Sequence, residues 1–315
     1  MKMRRRDVLN VGLAAVSAAA LGAIGCKRDG AREVVAYTSI DQVFAEPIFR
    51  AFEASTGVKV RAVFDTEETK STGVLNRIIA EARSPQCDVF WSGDPVRPFV
   101  LMKRGLVEPY LSPVARGLPT AFRAADGTWA GIAARARVLL VNKDKAGGGD
   151  RPRSVRDLAA PTWKGRGAMA NPLYGTTTMH AAALAAAWGD DKLKAFLDDV
   201  KKNETRLASS NGEVKRLVVA GEVAFGIVDT DDANEAVKDG APVDVVYPDQ
   251  DELGTLVIPS SVLRLRGPSP EPAKKLIDAL LGADTERRMA EAGGYMPLRA
   301  GVPVAPGARR IDDLR

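Results

Sequence analysis

The chain has 315 residues, of which 45% are hydrophobic and 27% charged, and its formal net charge is +5. This length and composition fit a globular protein with one large domain or two ordinary domains, each with its own core. Lys2, Arg4, Arg5 and Arg6 lie in the first 25 residues against the single acid Asp7, so the remainder carries only about +2. A surplus this small gives no case for a nucleic-acid partner.

The N-terminal segment, MKMRRRDVLNVGLAAVSAAALGAIGC, has a basic start, a short apolar core and small residues before Cys26. This is the pattern of an export signal, and its core over residues 11–24 is too weakly apolar for a comfortable membrane span. RRRDVLN resembles the twin-arginine export motif, and AIGC resembles a bacterial lipobox, with Ala23 where a larger aliphatic residue is usual. We predict a signal peptide over residues 1–25 and a linker over 26–32, with an acylated Cys26 anchoring an exported, periplasmic or cell-surface protein. The alternative is an uncleaved N-terminal anchor.

Strand and helix patterns alternate in the first part of the mature chain. EVVAYTSID, VKVRAVF and CDVFW are apolar enough for strands, and amphipathic helical patterns separate them. Parallel neighbours require such crossover connections, so we predict a mainly parallel sheet. Ligands gather beyond the carboxyl ends of strands in sheets of this kind. The polar loops over residues 38–41, 65–71 and 92–95 are therefore candidate binding loops.

The same alternation restarts near residue 135, with the strand RVLLVNKD and the helix patterns around TTTMHAAALAAAWG and DDKLKAFLDDVKKN. A last strand-like segment, GTLVIPSSVLRL, precedes a final helix pattern. We predict two α/β lobes, one formed by residues 33–134 plus 256–315 and the other by residues 135–255.

An anion site is predicted at NPLYGTTTMH, where Gly175, Thr176 and Thr177 precede a helix. Free backbone N–H groups and the helix dipole favour a negative charge at such a turn, and hydroxyls add donors. Thr176 can instead serve only as the helix N-cap. Tyr174 is either a phenolate ligand or a packed wall of the cleft. His180 either packs in the interior or behind a ligand, or is itself a metal ligand.

A cluster of carboxylates follows the buried strand in VAFGIVDTDDANEA, where Asp229, Asp231 and Asp232 lie within four residues. Neighbouring carboxylates repel each other and shift each other's protonation. They are hard oxygen ligands suited to a hard cation, and they pair equally well with an ammonium group on an organic solute. The structural alternative is that Asp231 or Asp232 is the N-cap of the following helix.

Taken together, VVAYTSID, FAEPIFRAFEASTGVKVRAVFDT, CDVFWSGDP, PTWKGRGAMANPLYGTTT, GEVAFGIVDTDDA and GYMPLRAGV resemble an extracellular solute-binding protein of a bacterial ABC importer. The similarity is strongest to the ferric-iron-binding branch of the two-lobed periplasmic receptors. It implies a periplasmic-binding-protein fold of the type II kind, whose lobes close at a hinge and dock on a membrane permease. In ferric-binding relatives the turn that matches Gly175 to Thr177 holds a phosphate or carbonate that shares the metal. Those relatives commonly carry two adjacent tyrosines where this chain has Asp229 to Asp232, and this departure puts ferric iron in question.

The resemblance also suggests residues of the first lobe. Asp41 lies close to where relatives place a histidine ligand, and Asp94, or Gly93 if the match shifts by one residue, lies close to an acidic one. The predicted ligand-binding residues are Thr38, Ser39, Asp41, Thr66, Ser92, Asp94, Tyr174, Gly175, Thr176, Thr177, Asn211, Asp229, Asp231 and Asp232. The predicted metal ligands among them are Asp41, Asp94, Asp229 and Asp231.

The sequence thus predicts a receptor that delivers a small solute to an ABC permease. One candidate ligand is ferric iron with a phosphate or carbonate anion. The other is a phosphorylated or phosphonate solute with an amine or hydroxyls toward the aspartates. An exported hydrolase is a remote alternative, because no Gly-x-Ser-x-Gly elbow, phosphate-binding loop or zinc-ligand spacing occurs in the sequence. No catalytic cofactor is expected.

Overall fold

A computed structural model describes residues 33–65, 72–147, 151–305 and 308–315. Its strands are β1 Glu33–Thr38, β2 Lys59–Phe64, β3 Val89–Ser92, β4 Ala130–Asn142, β5 Gly167–Ala170, β6 Arg206–Ala208, β7 Phe225–Asp229, β8 Val243–Val246 and β9 Val257–Arg264. Its α-helices are α1 Gln42–Thr56, α2 Thr72–Ala80, α3 Val96–Lys103, α4 Gly175–Trp188, α5 Asp190–Lys202, α6 Asn211–Val219, α7 Thr230–Lys238, α8 Pro270–Leu280 and α9 Ala283–Gly293.

The strands form one continuous path in the order β2-β1-β3-β9-β4-β7-β5-β6, and β8 pairs with β4 beside it. Strand β1 runs parallel to β2 and β3, and β5 runs parallel to β6 and β7. Each of these two parallel groups has helices in its crossover connections, as the alternation in the sequence predicts. The groups are joined through the antiparallel strands β9 and β4.

Strand β4 belongs to both groups because it changes partner along its length. Residues up to Ala136 pair with β9, and residues from Arg137 onward pair with β7. A register shift between Gly131 and Ala134 precedes the change. The sequence pattern predicted only the second half of this strand, because Ala, Gly and Arg in AGIAARAR do not show the alternation typical of strands.

The largest apolar cluster runs through both strand groups. In the first group Trp91 packs edge-on against Phe49, with ring centroids 5.8 Å apart, and its indole N–H donates to Oγ of Ser260. Helix α1 ends at Gly57, whose φ of +70° is the left-handed conformation that glycine adopts without a steric penalty. Two parallel strand groups with helical crossovers, joined by antiparallel strands, agree with the two-lobed α/β organisation predicted from the sequence. None of the helices that the structure describes is long and apolar enough to cross a membrane.

Candidate ligand-binding site

A polar cavity of about 280 Å³ lies where strands of both groups end. The loops after β1 and β3 line one side, and the starts of α4, α6 and α7 line the other. The cavity contains most of the predicted residues: Ser39, Asp41, Asp94, Tyr174, Gly175, Thr176, Thr177, Asn211, Asp229, Asp231 and Asp232. It also contains Gly93, Arg135, Lys215 and Glu235, which were not predicted as ligand contacts. The carboxyl ends of the strands therefore converge on one site, as the parallel topology requires.

The first turn of α4 presents backbone N–H groups at this cavity. The helix begins at Gly175, whose φ is +58°, and Tyr174 occupies the N-cap position. Within the described part of the chain, no side chain caps this helix. The first N–H groups of a helix have no intrahelical partner, so this turn is suited to bind an anion. Thr176 lies inside the first turn and is not the N-cap.

The threonine hydroxyls bind a buried network instead of capping the helix. Oγ1 of Thr176 donates to Oδ2 of Asp229 at 2.8 Å, and it accepts from Nη1 of Arg137 at 3.2 Å and from Nδ2 of Asn211 at 3.0 Å. Oγ1 of Thr177 accepts from Nη2 of Arg137 at 3.3 Å. Thr176 thus holds the base of the site, which leaves the backbone N–H groups and the hydroxyl hydrogen of Thr177 as the donors that can face a ligand.

Asp229 forms ion pairs with two arginines of β4. Its Oδ1 accepts from Nη1 of Arg137 at 2.7 Å, and its Oδ2 lies 3.1 Å from Nη1 of Arg135. Burial alone would raise the pKa of Asp229, but the charges of Arg137 and Arg135 and the hydrogen bonds hold that pKa below its usual value. Both carboxylate oxygens are therefore occupied within the protein. Asp229 was predicted as a metal ligand, and the structure assigns its oxygens to these internal partners.

Arg135 and Arg137 were not predicted from the sequence to belong to the site. Arg137 is completely buried and Arg135 nearly so, although arginines are rarely buried without partners. Nη2 of Arg135 also donates to the carbonyl oxygen of Gly93 at 2.6 Å, and its guanidinium carbon lies 5.7 Å from the centre of the Tyr295 ring. The recognisable signal was the Arg-x-Arg spacing in ARARV, because residues two apart on a strand point to the same face.

Asp231 and Asp232 lie in the first turn of α7, whose N-cap position is held by Asp229. Oδ2 of Asp231 lies 3.6 Å from Nη1 of Arg135. Burial and the charges of Asp231 and Asp229 raise the pKa of Asp232 well above its usual value, which favours its protonated form. Oxygens from the three aspartates lie within 4.8 Å of one another. Neither Asp231 nor Asp232 is the N-cap, so the structural alternative from the sequence does not account for them.

The other side of the cavity has Ser39, Asp41, Gly93 and Asp94. Oγ of Ser39 accepts from the backbone N–H of Gly93 at 2.8 Å, which ties the two loops together. Oδ1 of Asp94 accepts from the backbone N–H groups of Val96 and Arg97 at the start of α3. Its Oδ2 has no hydrogen-bond partner among the described residues, although Nη1 of Arg97 lies 3.6 Å away. Asp94 thus accepts hydrogen bonds from the start of α3 with one oxygen, while its other oxygen is buried beside the guanidinium of Arg97.

Two of the predicted ligand contacts that the structure describes do not line the cavity. Thr38 is buried, and its Oγ1 donates to the carbonyl oxygen of Trp91 at 2.9 Å. Ser92 is buried as well, and its Oγ accepts from the backbone N–H of Asp94 at 3.4 Å. Both hydroxyls close local turns behind the site. Thr66 and the proposed lipid anchor Cys26 lie outside the described residues.

Tyr174 and His180, both on or beside α4, differ in their surroundings. Tyr174 is 58% exposed at the cavity. His180 is buried in a second, small apolar cavity that is also lined by Arg137, Leu184 and Phe196. Burial and the nearby charge of Arg137 lower the pKa of His180 to about 3, so its imidazole is neutral at physiological pH. This surrounding is that of a packed interior histidine.

A polar cavity at the junction of two α/β halves, reached by strand ends from both, defines a two-lobed receptor for a small solute. The chain belongs to the bacterial extracellular solute-binding protein family, whose sequence model matches residues 33–295. It is accordingly a solute-binding protein of an ABC importer. Both the fold and the family match the expectation from the sequence.

Several curated proteins are similar to this chain. Iron uptake protein A1 of Synechocystis sp. is 27% identical over 96% of this chain and 89% of the relative. The Fe(3+)-binding periplasmic protein of Serratia marcescens is 29% identical over 72% of this chain and 65% of the relative. A putative 2-aminoethylphosphonate-binding periplasmic protein of Salmonella typhi is 25% identical over 81% of this chain and 74% of the relative.

Solved structures support the fold. The iron-bound HitA of Pseudomonas aeruginosa superposes with a TM-score of 0.81 at 22% identity, covering 89% of this chain and 91% of HitA. AfuA of Actinobacillus pleuropneumoniae, solved with exogenous fructose-6-phosphate bound, superposes with a TM-score of 0.77 at 23% identity, covering 90% of both chains.

Proposed function

We propose that this receptor captures a small organic solute with a phosphate or phosphonate group at one end and an amine or hydroxyl groups at the other. The observation that carries the proposal is that the α4 turn at Gly175 to Thr177 and the acidic first turn of α7 line one cavity. The cavity volume of about 280 Å³ is just below the range of about 300–1,000 Å³ for pockets that hold drug-sized ligands, which suits a small solute.

The anionic end of the solute is assigned to α4. Backbone N–H groups at a helix N-terminus bind phosphate without a cationic side chain in contact with it. Arg137 lies directly behind the turn, with its guanidinium bonded to the hydroxyls of Thr176 and Thr177. Its positive charge adds to the helix dipole in favouring an anion at this end.

The opposite end of the solute is assigned to the carboxylates of α7 and of the loops after β1 and β3. Asp231, Asp41 and Asp94 line the cavity with carboxylates, which are the groups that pair with an ammonium or hydroxyl group. Charge-assisted hydrogen bonds of this kind are stronger than neutral ones. A solute with charges of both signs therefore complements a cavity whose two ends differ in charge.

Ferric iron with a bound anion is the second candidate, because Asp229, Asp231 and Asp232 place oxygens close together and several relatives are named for iron. The donor set fits this cargo less well. Both oxygens of Asp229 already bond to Arg137, Thr176 and Arg135. A trivalent cation at the cluster would lie close to the guanidinium of Arg135, and like charges repel strongly at such distances.

A thermal-shift titration of the purified protein distinguishes the two candidates. A ligand that binds the folded but not the unfolded state raises the melting temperature by mass action. We expect 2-aminoethylphosphonate or a sugar phosphate to raise it, and ferric salts, with or without phosphate, to leave it unchanged. A rise with ferric salts alone would refute the proposal.

A matched pair of variants tests the assignment of the two ends. Asp231→Asn is expected to weaken an aminoalkylphosphonate strongly and inorganic phosphate little, because only the former carries a cation. Asp239→Asn at the exposed end of the same helix is the control and should change neither. Equal losses for both ligands in Asp231→Asn would indicate that Asp231 is structural.

The proposed receptor also has the lobes, export signal and lipid anchor that the sequence predicts. The lobes are residues 33–134 plus 256–315 and residues 135–255, close to where β4 changes from β9 to β7. A signal over residues 1–25 exports the chain, and acylated Cys26 anchors it beside the permease. Replacement of Cys26 by Ser should release the protein from the membrane fraction, and continued membrane association would contradict the lipid anchor.

A further inference from the structure

We propose that Arg135 excludes a hard multivalent cation from the cavity by partly neutralising the aspartates of α7. This inference rests on the proposed function only in assuming that ligands bind in this cavity. It concerns a residue that was not predicted as part of the site.

The guanidinium of Arg135 links the two sides of the cavity. Nη2 donates to the carbonyl oxygen of Gly93 in the loop after β3. Nη1 lies 3.1 Å from Oδ2 of Asp229 and 3.6 Å from Oδ2 of Asp231. One cation therefore contacts two of the three carboxylates that are close enough together to hold a metal.

Arg135 and Arg137 differ in their positions relative to the cavity. Arg137 is wholly buried behind the cavity and bonds to Thr176, Thr177, Asn211 and Asp229. Arg135 lines the cavity and contacts the carboxylates of Asp229 and Asp231. Removing Arg135 would leave Asp229 paired with Arg137 and would take away the guanidinium that lies 3.6 Å from Oδ2 of Asp231. Of the two, Arg135 therefore controls the charge that a ligand meets.

The charge balance gives the direction of the effect. With Arg135 present, a hard cation at the aspartate cluster must approach a fixed guanidinium and compete with it for Oδ2 of Asp229 and of Asp231. Without it, a cation no longer competes with a guanidinium for Oδ2 of Asp229 and of Asp231, and the local charge becomes more negative by one unit, while Asp229 still bonds to Arg137 and Thr176. Hard cations bind more tightly as the number of charged oxygen ligands grows, whereas an anion in the cavity loses an attractive charge.

The experiment uses Tb³⁺ as a hard trivalent probe that is independent of iron chemistry, and inorganic phosphate as the anion probe. Arg135→Gln is expected to bind Tb³⁺ at least about tenfold more tightly than the wild type. A neighbouring charge commonly shifts a pKa by about one unit, which is a tenfold change in an equilibrium constant, and we expect a similar change in Tb³⁺ affinity. The same variant should bind phosphate more weakly. Arg135→Lys keeps the charge, so its Tb³⁺ affinity is expected to lie within about threefold of that of the wild type. The matched control is Arg264→Gln, which replaces a partly buried arginine of β9 that pairs with Glu108.

A double variant keeps the test decisive. Asp231→Asn introduced into Arg135→Gln should cancel the gain in Tb³⁺ affinity. If Arg135→Gln alone fails to fold, this charge-balanced pair, which keeps the buried ion pair of Asp229 with Arg137, is measured instead. It should bind Tb³⁺ like the wild type and more tightly than Asp231→Asn alone.

The inference is overturned if folded Arg135→Gln binds Tb³⁺ within about twofold of the wild type, well under the change expected for one charge. It is equally overturned if the charge-balanced pair gains Tb³⁺ affinity. If the wild type binds ferric salts and no organophosphate, the proposed function fails. In that case the ratio of the Tb³⁺ affinities of Arg135→Gln and the wild type still tests the role of Arg135.

Discussion

Nη1 of Arg137 and Oδ1 of Asp229 lie 2.7 Å apart, with their side chains 0% and 1% exposed. The pair joins β4 to the end of β7, where the two residues are also direct partners in the sheet register. Thr176 adds a hydrogen bond from α4 to the same carboxylate. The acidic group that looked most like a ligand in the sequence thus orients the floor of the site.

Replacement of Asp229 by Ala should destabilise the ligand-free protein by about 3–5 kcal/mol, because it leaves the buried guanidinium of Arg137 without its carboxylate. Urea denaturation of the apo-protein measures this change. Asp198→Ala, which removes an exposed partner of Lys194, is the control and should leave the stability nearly unchanged. An apo-protein that tolerates Asp229→Ala as well as the control would contradict the structural role of Asp229.

His180 should remain neutral far below the usual titration range of histidine. Burial and the charge of Arg137 lower its pKa to about 3, and it is the only histidine in the chain. Its imidazole C–H resonances can therefore be followed by NMR without assignment. We expect no chemical-shift transition between pH 8 and about 5. A midpoint near 6.5 would place His180 in solvent.

The same shift makes stability depend on pH. The unfolded chain binds a proton at His180 below about pH 6.5, whereas the folded protein does so only near pH 3. Between these values the unfolded state holds the extra proton, so this contribution to stability falls as pH falls, by up to about 1.4 kcal/mol per unit. The raised pKa of Asp232 acts in the opposite direction, since its contribution is lost as pH rises.

His180→Gln isolates the histidine contribution from that of Asp232. The difference in unfolding free energy between the wild type and this variant, measured by urea denaturation from pH 7 to pH 4, should fall as pH falls. Asp229 contributes little in this range, because its lowered pKa moves its loss of stability to more acidic pH. Parallel pH profiles for wild type and variant would contradict the low pKa of His180.

Anion binding should distinguish two neighbouring threonines of α4. Thr177 lines the cavity, whereas Oγ1 of Thr178 is buried without a partner among the described residues. Thr177→Val should weaken phosphate binding by about fivefold to tenfold, the value of one net hydrogen bond of about 1 kcal/mol. Thr178→Val should leave binding unchanged. Isothermal titration calorimetry compares them, and equal affinities for the two variants would count against an anion at this turn.

Much of the site was predictable because parallel strand ends converge. The polar residues after β1, β3, β5 and β7 follow apolar strands, so Asp41, Asp94, Gly175 and Asp231 were expected near one another before their distances were known. Thr38 and Ser92 occupy the same strand ends, but their hydroxyls bond to neighbouring backbone groups. Sequence pattern does not distinguish a hydroxyl that closes a turn from one that faces a ligand.

The arginines of β4 were not predictable in the same way. Arg137 and its partner Asp229 are 92 residues apart in the chain, and only the antiparallel pairing of β4 with β7 brings them into register. Charged residues within an alanine-rich stretch also do not show the apolar alternation of a buried strand. The meaning of the acidic cluster therefore depended on a sheet order that the sequence alone does not specify.

The most direct test of the ligand assignment is native mass spectrometry, with metal analysis, of the protein purified from its own host. The account predicts a bound organic molecule that contains phosphorus, with iron well below one atom per chain. Stoichiometric iron with no organic phosphorus compound would contradict it.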